Sequence, residues 1–157
     1  GMLYILKQKY PEADTFLVTD NHLSALENAF CDLVISTLTV AHIRDLAEAL
    51  KEWHRVLKPG GSIVITDYHP AALAQGARRT FRHHDRTITI RNYIHPIDKL
   101  KEMSRQLQLR PLRFIERKID DGVKHYYEKQ QAVALYEKFY GTPIIYGVHL
   151  TKTDAGS

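Results

Sequence analysis

Two side chains after apolar runs are suited to proton transfer. His69 stands in DYHP, residues 67–70, directly behind the run SIVIT. An imidazole titrates near pH ~6.5 when unperturbed, so His69 could accept a proton from a hydroxyl or an amine. His42 follows the apolar run CDLVISTLTV and is a second candidate base. A histidine there equally suits capping or orienting the next helix, so both interpretations stay open.

A basic cluster follows, between residues 71 and 95, with Asp85 as its one carboxylate. Its members are Arg78, Arg79, Arg82, His83, His84, Arg86 and Arg91. Guanidinium forks pair with carboxylates and phosphates, which indicates an acidic ligand. The alternative is a solvated basic loop. Nucleic-acid binding would depend on this cluster alone, and a net charge of +4 gives it little support.

Composition places the chain among globular domains. It has 157 residues, of which 44% are hydrophobic and 25% charged, as expected of one packed domain. No apolar run approaches the ~20 residues of a membrane-spanning helix. The single Cys31 allows no internal disulfide, which favours a reducing, cytoplasmic setting. No histidine pair has HExxH spacing, so we predict no metal site.

Apolar periodicity predicts alternating strands and helices. Unbroken apolar runs such as residues 31–40 are typical of strands buried on both faces of a parallel sheet. Apolar residues at helical spacing predict helices before and after them. The predicted helices are 2–10, 44–58, 96–109 and 123–141, and the predicted strands are 14–20, 31–40, 62–67, 110–119 and 142–152. The alternation predicts an α/β fold.

One motif is specific to a family. RVLKPGG, residues 55–61, runs into SIVITD and stands at a fixed distance after DLVIS. This pattern, over about residues 2–152, resembles the class I S-adenosylmethionine-dependent methyltransferases of the small-molecule, type 11-like group. The resemblance implies a Rossmann-like sheet, mostly parallel with an antiparallel last strand. It also implies S-adenosylmethionine as cofactor and methyl transfer to a small-molecule acceptor, for which alignment matters more than a dedicated base.

The resemblance also implies roles for individual residues. Asp20 would accept a hydrogen bond from the adenine amino group, and Asn21 would offer its backbone N–H to the ring. The end of the fourth family strand would face the methionine part of the cofactor and the substrate. The residues expected to bind the cofactor are therefore Asp20, Asn21, Ser36, Thr37 and Leu38, and the expected catalytic residues are His42 and His69. The residues expected to bind substrate are Tyr68, Arg79 and Arg82. Arg79 and Arg82 lie within a segment at about 71–95 that the resemblance identifies as a variable substrate cap.

The chain departs from the family at its start. No glycine-rich turn precedes Pro59, and Met2-Leu3 matches the helix after the family's second strand. We therefore expect a single partial domain without the first two strands, whose activity in isolation is in question. The alternative is a non-catalytic remnant or interaction module. Because the run 31–40 would then form a bare edge, we predict that the 14–20 strand re-pairs there or that a homodimer covers it.

Overall fold

The computed structural model describes residues 2–18 and 20–153, and within them helices and strands alternate. No helix in that part of the chain combines the length and apolarity needed to cross a membrane. Two single 3-10 turns, Val40–His42 and Asp121–Val123, join the regular elements. These are α1 (Met2–Lys9), β1 (Cys31–Thr37), α2 (Leu46–Val56), β2 (Leu57–Tyr68), α3 (Pro70–Ala74), β3 (Thr80–His83), β4 (Arg86–Thr89), α4 (Ile97–Gln106), β5 (Leu109–Lys118), α5 (Lys124–Lys129), α6 (Val133–Phe139) and β6 (Pro143–Lys152).

Four strands form the central sheet in the order β1-β2-β6-β5. β1 pairs with β2 in parallel, and β6 is antiparallel to both of its neighbours. β1, β2 and β5 therefore run in one direction and β6 in the other. This confirms the predicted Rossmann-like α/β sheet with an antiparallel last strand. β3 and β4 form a separate two-stranded hairpin within the basic segment.

Helices α2 and α4 cover one face of the sheet. Asp45 begins α2 by accepting a hydrogen bond from the Glu48 N–H at 3.0 Å. Lys152 ends it by donating its ammonium to the carbonyls of His54 and Leu57, both at 2.8 Å. The apolar stripe of α2 packs onto the strands. The buried core of this face includes Leu46, Ala49, Leu50, Trp53, Leu57, Ile63, Ile65, Leu100, Leu109, Tyr146, Val148 and Leu150.

The opposite face of the sheet is bare in the described part of the chain. Leu33 and Ile35 point to that face from β1 and remain 49% and 65% exposed. Ile115 of β5 lies on the same side and is 39% exposed. The prediction that residues 31–40 form a strand buried on both faces is therefore wrong, because α2 and α4 pack on one side only. We call this surface the bare face.

Residues 14–18 and 20 form no strand, although their composition predicted one. β1 is the edge of the sheet, with β2 as its partner among the described residues. The expected re-pairing of 14–20 beside β1 is therefore wrong within this chain. Phe16, Leu17 and Val18 are exposed, so the segment lacks the packed surface that stabilises a strand.

Two element boundaries also differ from the predictions. β2 begins at Leu57, five residues before the predicted start, because Cys31 pairs with Leu57 before a bulge restores the register at Ser62. The predicted helix 123–141 divides into α5 and α6. Gln131 adopts a positive φ of 53° between them, a conformation that ends a right-handed helix.

Candidate functional site

β1 and β2 end side by side at one edge of the sheet. Thr37 and Thr66 are paired in the parallel register, and the Leu38 N–H donates to the Thr66 carbonyl at 2.8 Å. The predicted residues Ser36, Thr37 and Leu38 therefore adjoin the segment from Asp67 to His69. Ligands of open α/β sheets bind outside the carboxyl ends of parallel strands, which is this edge. We call it the strand-end edge.

Leu38 has an unusual backbone at this edge. Its φ is +53°, in the left-handed region that L-residues other than Asn and Asp seldom adopt. Such a conformation costs about 1–3 kcal/mol and persists where neighbouring contacts hold it. Here the Leu38 N–H binds Thr66 and the Leu38 carbonyl accepts from Arg79 at 3.1 Å.

Asp67 is the buried acid of the site, with only 1% of its surface exposed. One carboxylate oxygen accepts from the Ala41 N–H at 3.0 Å, and the other accepts from the Tyr68 N–H at 2.6 Å. The latter oxygen also pairs with Arg79 Nη2. A buried carboxylate needs such partners to remain charged, and Asp67 has them from three directions.

Arg79 connects the cap to the strand-end edge. Its Nη1 donates to the Leu38 carbonyl and approaches His42 Nε2 at 2.6 Å, while Nη2 pairs with Asp67. The guanidinium carbon lies 4.3 Å from the centre of the Tyr68 ring. The side chain is 11% exposed. The structure thus brings Tyr68, Arg79 and His42 together, whereas Arg82 lies on the exposed β3 strand.

Both ring nitrogens of His69 are engaged. Nδ1 accepts from the Ala71 N–H at 3.1 Å and so caps α3. The proton must then reside on Nε2, which donates to Glu116 Oε1 at 2.7 Å. The ring is buried, 7% exposed, and anchored between β2 and β5. For His69 to act as a base, one of these hydrogen bonds has to break.

Asp20 and Asn21 lie outside this network. Asp20 is exposed and accepts from the His22 N–H at 2.8 Å. The Asn21 side chain donates to the Asp45 carbonyl at 3.2 Å and to Glu48 Oε2 at 2.9 Å, which ties its loop to the start of α2. The side-chain amide of Asn21 therefore has a structural role. The group that the family resemblance predicts to contact the adenine ring is its backbone N–H.

Glu52 and Arg55 hold the following loop against α2. Glu52 pairs with Arg55 at 3.0 Å and accepts from the Leu23 N–H at 2.9 Å. The hydrogen bond from Arg55, followed by that from Leu23, lowers the pKa of Glu52 to about 2. Arg55 also donates to the carbonyls of Leu23 and Leu26, each at 3.0 Å. The arginine of the RVLKPGG motif thus positions the loop that follows Asp20.

Two polar groups, one at the strand-end edge and one outside it, are of the kind that an S-adenosylmethionine site uses. Ser36 Oγ is buried, and no partner for it exists among the described residues, so its hydroxyl has hydrogen-bonding capacity for a ligand. Asp20 offers an exposed carboxylate of the kind that accepts from an amino group. These two groups would hold the cofactor from the protein side.

Asp67 is the site residue that sequence reasoning did not assign. In the sequence it is one of the residues DYHP that follow the run SIVIT, of which Tyr68 and His69 have predicted roles, and Arg79 is predicted to bind substrate. The available signal was an acid directly after the buried run SIVIT, where a charge must find a partner. Opposite it in the sheet is Tyr146, whose pKa is raised by burial and by the nearby Asp67 carboxylate.

Comparisons with known proteins find similarity to methyltransferases in sequence and in fold. Residues 1–65 match the family model described as "Methyltransferase domain". This part of the chain is therefore similar to methyltransferase domains. A malonyl-[acyl-carrier protein] O-methyltransferase of Pseudescherichia vulneris is 34% identical over 68 residues, 43% of this chain and 27% of its own length. A demethylmenaquinone methyltransferase of Chlorobaculum tepidum is 36% identical over 66 residues, which are 42% of this chain and 27% of the relative's own length.

A solved structure extends the similarity to the whole fold. A putative S-adenosylmethionine-dependent methyltransferase from Listeria monocytogenes superposes with a TM-score of 0.69 at 15% identity, covering 98% of this chain and 77% of its own. The methyltransferase-like chain described here therefore has the family's fold. It spans about a quarter of the length of the two curated relatives.

Proposed function

We propose that this chain carries part of the active site of an S-adenosylmethionine-dependent methyltransferase that modifies a small molecule. The observation that carries the proposal is the strand-end edge, where a buried, unpartnered Ser36 hydroxyl and the strained Leu38 backbone lie beside the Asp67 network. The similarity to methyltransferases in sequence and fold supports it. When bound, S-adenosylmethionine supplies an electrophilic methyl group.

The cofactor role falls to two short segments. Asp20 accepts from an adenine amino group and the Asn21 N–H donates to the ring. Ser36, Thr37 and Leu38 border the methionine part. The chain's own contribution is to fix these groups in advance, as Arg55 does for the loop after Asp20. Preorganisation of this kind lowers the cost of ordering the site on binding.

The acceptor would enter from the cap, residues 71–95. Arg82 is exposed on β3, and its charge suits an acidic acceptor. Tyr68 presents a ring beneath Arg79. His42 and His69 remain the candidate bases, and each would first have to release a hydrogen bond, to Arg79 and to Glu116 or Ala71 respectively. Acceptors that lose a proton readily would need neither.

We further propose a cytoplasmic protein whose bare face and β1 edge are covered by additional polypeptide, a second copy of the chain included. Leu33 and Ile35 are apolar and exposed on the bare face, and Phe16, Leu17 and Val18 are exposed apolar residues as well. A long apolar edge strand left open promotes association. Sedimentation velocity checks this: the chain should sediment as a dimer, and Ile35→Lys should shift it toward the monomer. A wild-type monomer at all concentrations contradicts the dimer.

Calorimetric titration with S-adenosylhomocysteine tests the function. We expect micromolar binding by the wild-type chain and weaker binding by Asp20→Ala, because the adenine amino group loses its acceptor. Asp98→Ala is the matched control, since it removes a carboxylate that is 98% exposed on α4. The absence of heat at millimolar ligand contradicts cofactor binding by this chain and favours a non-catalytic interaction module.

A further inference from the structure

Arg79 has an arrangement that direct recognition of a substrate does not explain. Both Nη groups are already used by protein acceptors: Leu38 and His42 for Nη1, and Asp67 for Nη2. Two N–H groups remain, one on Nη2 and one on Nε, and Nε is buried without a partner within residues 2–18 and 20–153. An incoming carboxylate or phosphate would find no exposed pair of N–H groups for a bidentate contact.

The acceptors of Arg79 come from separate parts of the chain. Leu38 follows β1, Asp67 ends β2, and Arg79 itself precedes β3 in the cap. Asp67 in turn holds the Ala41 N–H at 3.0 Å, so the turn after β1 belongs to the same network. A planar guanidinium with a fixed fork can satisfy these groups together, whereas a lysine ammonium is a single point donor.

The hydrogen bonds of this network stabilise the strained backbone of Leu38. The left-handed Leu38 backbone is held on its N–H side by Thr66 and on its carbonyl side by Arg79. Releasing the carbonyl removes one of two restraints on a conformation that an L-residue adopts only under constraint. Leu38 is also a residue of the strand-end edge, so the cap and this edge share one contact.

We infer that Arg79 is a positioning residue: it fastens the cap to the ends of β1 and β2 and holds Leu38 in its left-handed conformation, and it does not bind substrate directly. This goes beyond the proposed function, because it assigns Arg79 a task inside the apo protein. Asp67 is the buried carboxylate that pairs with Arg79 in this arrangement.

Amide hydrogen exchange by NMR on the unliganded chain tests the inference. In Arg79→Lys, which keeps a positive charge near Asp67, exchange at the Leu38 and Ala41 amides should rise by about tenfold or more, as expected for loss of charge-assisted hydrogen bonds. Exchange at Ile63 and Ile65 should be unchanged. Arg78→Lys is the matched control, because Arg78 is the exposed neighbour in the chain.

A second variant keeps the test valid if Arg79→Lys misfolds. Asp67→Asn combined with Arg79→Gln removes both charges together, so neither remains buried without its partner. It should show the same local rise at Leu38 and Ala41. Unchanged exchange at these two amides in both variants overturns the inference. A rise that is equal at Ile63 and Ile65 also overturns it, since that pattern means general destabilisation.

Titration with S-adenosylhomocysteine separates this inference from the proposed function. If the wild-type chain binds, Arg79→Lys should weaken binding roughly 5- to 150-fold, the usual range for coupling between sites, and an unchanged dissociation constant overturns the inference. If the wild-type chain does not bind, the proposed function fails, and the exchange measurement alone decides whether Arg79 positions the edge.

Discussion

The two faces of the central sheet are made by alternating residues of the same strands, yet their environments are opposite. Ile63 and Ile65 of β2 are fully buried beneath α2 and α4. Ile35 of β1 points to the other side and is 65% exposed. Within β1 both sides are apolar, with Val34 on the covered side and Leu33 and Ile35 on the other. The hydrophobicity of a strand therefore does not tell which of its sides this chain buries.

The largest contrast is expected between two isoleucines in adjoining strands. Ile65→Ala should lower the free energy of unfolding by about 2–5 kcal/mol, because it leaves a cavity in the core. Ile35→Ala should lower it by less than about 1 kcal/mol, because its side chain is mostly in water already. Urea unfolding of both variants measures the difference. Equal losses would mean that the bare face is covered in solution.

Two glycines offer a smaller contrast between the faces. A Cβ at Gly61, on the covered face, would lie 2.8 Å from Leu57 Cδ1 and 2.9 Å from the Lys58 carbonyl oxygen. Gly61→Ala should therefore cost about 1–3 kcal/mol. A Cβ at Gly147, on the bare face, would lie 3.0 Å from Cγ1 of the half-exposed Ile115, which can move aside. We expect Gly147→Ala to cost less than Gly61→Ala in thermal unfolding, and the reverse order would contradict the assignment of faces.

The start of α2 shows how much the covering helix depends on its cap. Asp45→Ala should cost about 1 kcal/mol, because the Glu48 N–H loses its acceptor. Asp45→Asn is the matched control, since an amide oxygen still accepts and stability should be nearly retained. Denaturant unfolding distinguishes the two. An equal loss in both would mean that the charge of Asp45, rather than the cap, stabilises the helix.

The smallest effect is a pH dependence from Glu52. Its folded pKa is about 2, below the ordinary 4.5, so its stabilising contribution is present above about pH 4.5 and is lost as the pH falls toward 2. Glu52→Gln should therefore be less stable than wild type at pH 7, and the gap should narrow in acid. Glu137→Gln, at an exposed position, serves as control. A gap that stays constant from pH 7 to 3 would contradict the assignment to Glu52.

The sequence predicted the elements whose stabilising contacts are local or repeated. Apolar spacing located α2 and β6, and RVLKPGG with SIVITD identified the methyltransferase fold. Prediction from the sequence failed for segments whose structure depends on the neighbouring segments of the fold. Residues 14–18 have the composition of a strand but no neighbouring strand to pair with, and residues 31–37 form a strand with only one covered side.

The candidate site shows the same division. Position after a strand correctly indicated that Ser36 to Leu38 and Asp67 to His69 lie at one edge. The side-chain partners were not predictable, because Arg79 reaches Leu38 across 41 positions of the chain and His69 reaches Glu116 across 47. Such pairings follow from strand order, which residue spacing does not encode.

The place of β6 between β2 and β5 has a consequence for synthesis. β6 is synthesised after both β2 and β5, so these two strands have no neighbour on that side until residues 143–152 exist. The Lys152 ammonium, which closes the end of α2, arrives at the same moment. The β2–β6–β5 half of the sheet therefore forms only after β6 has been made, and contacts over so many residues make folding slow. Until then β2 and β5 each have an unpaired edge, which is open to pairing with other chains.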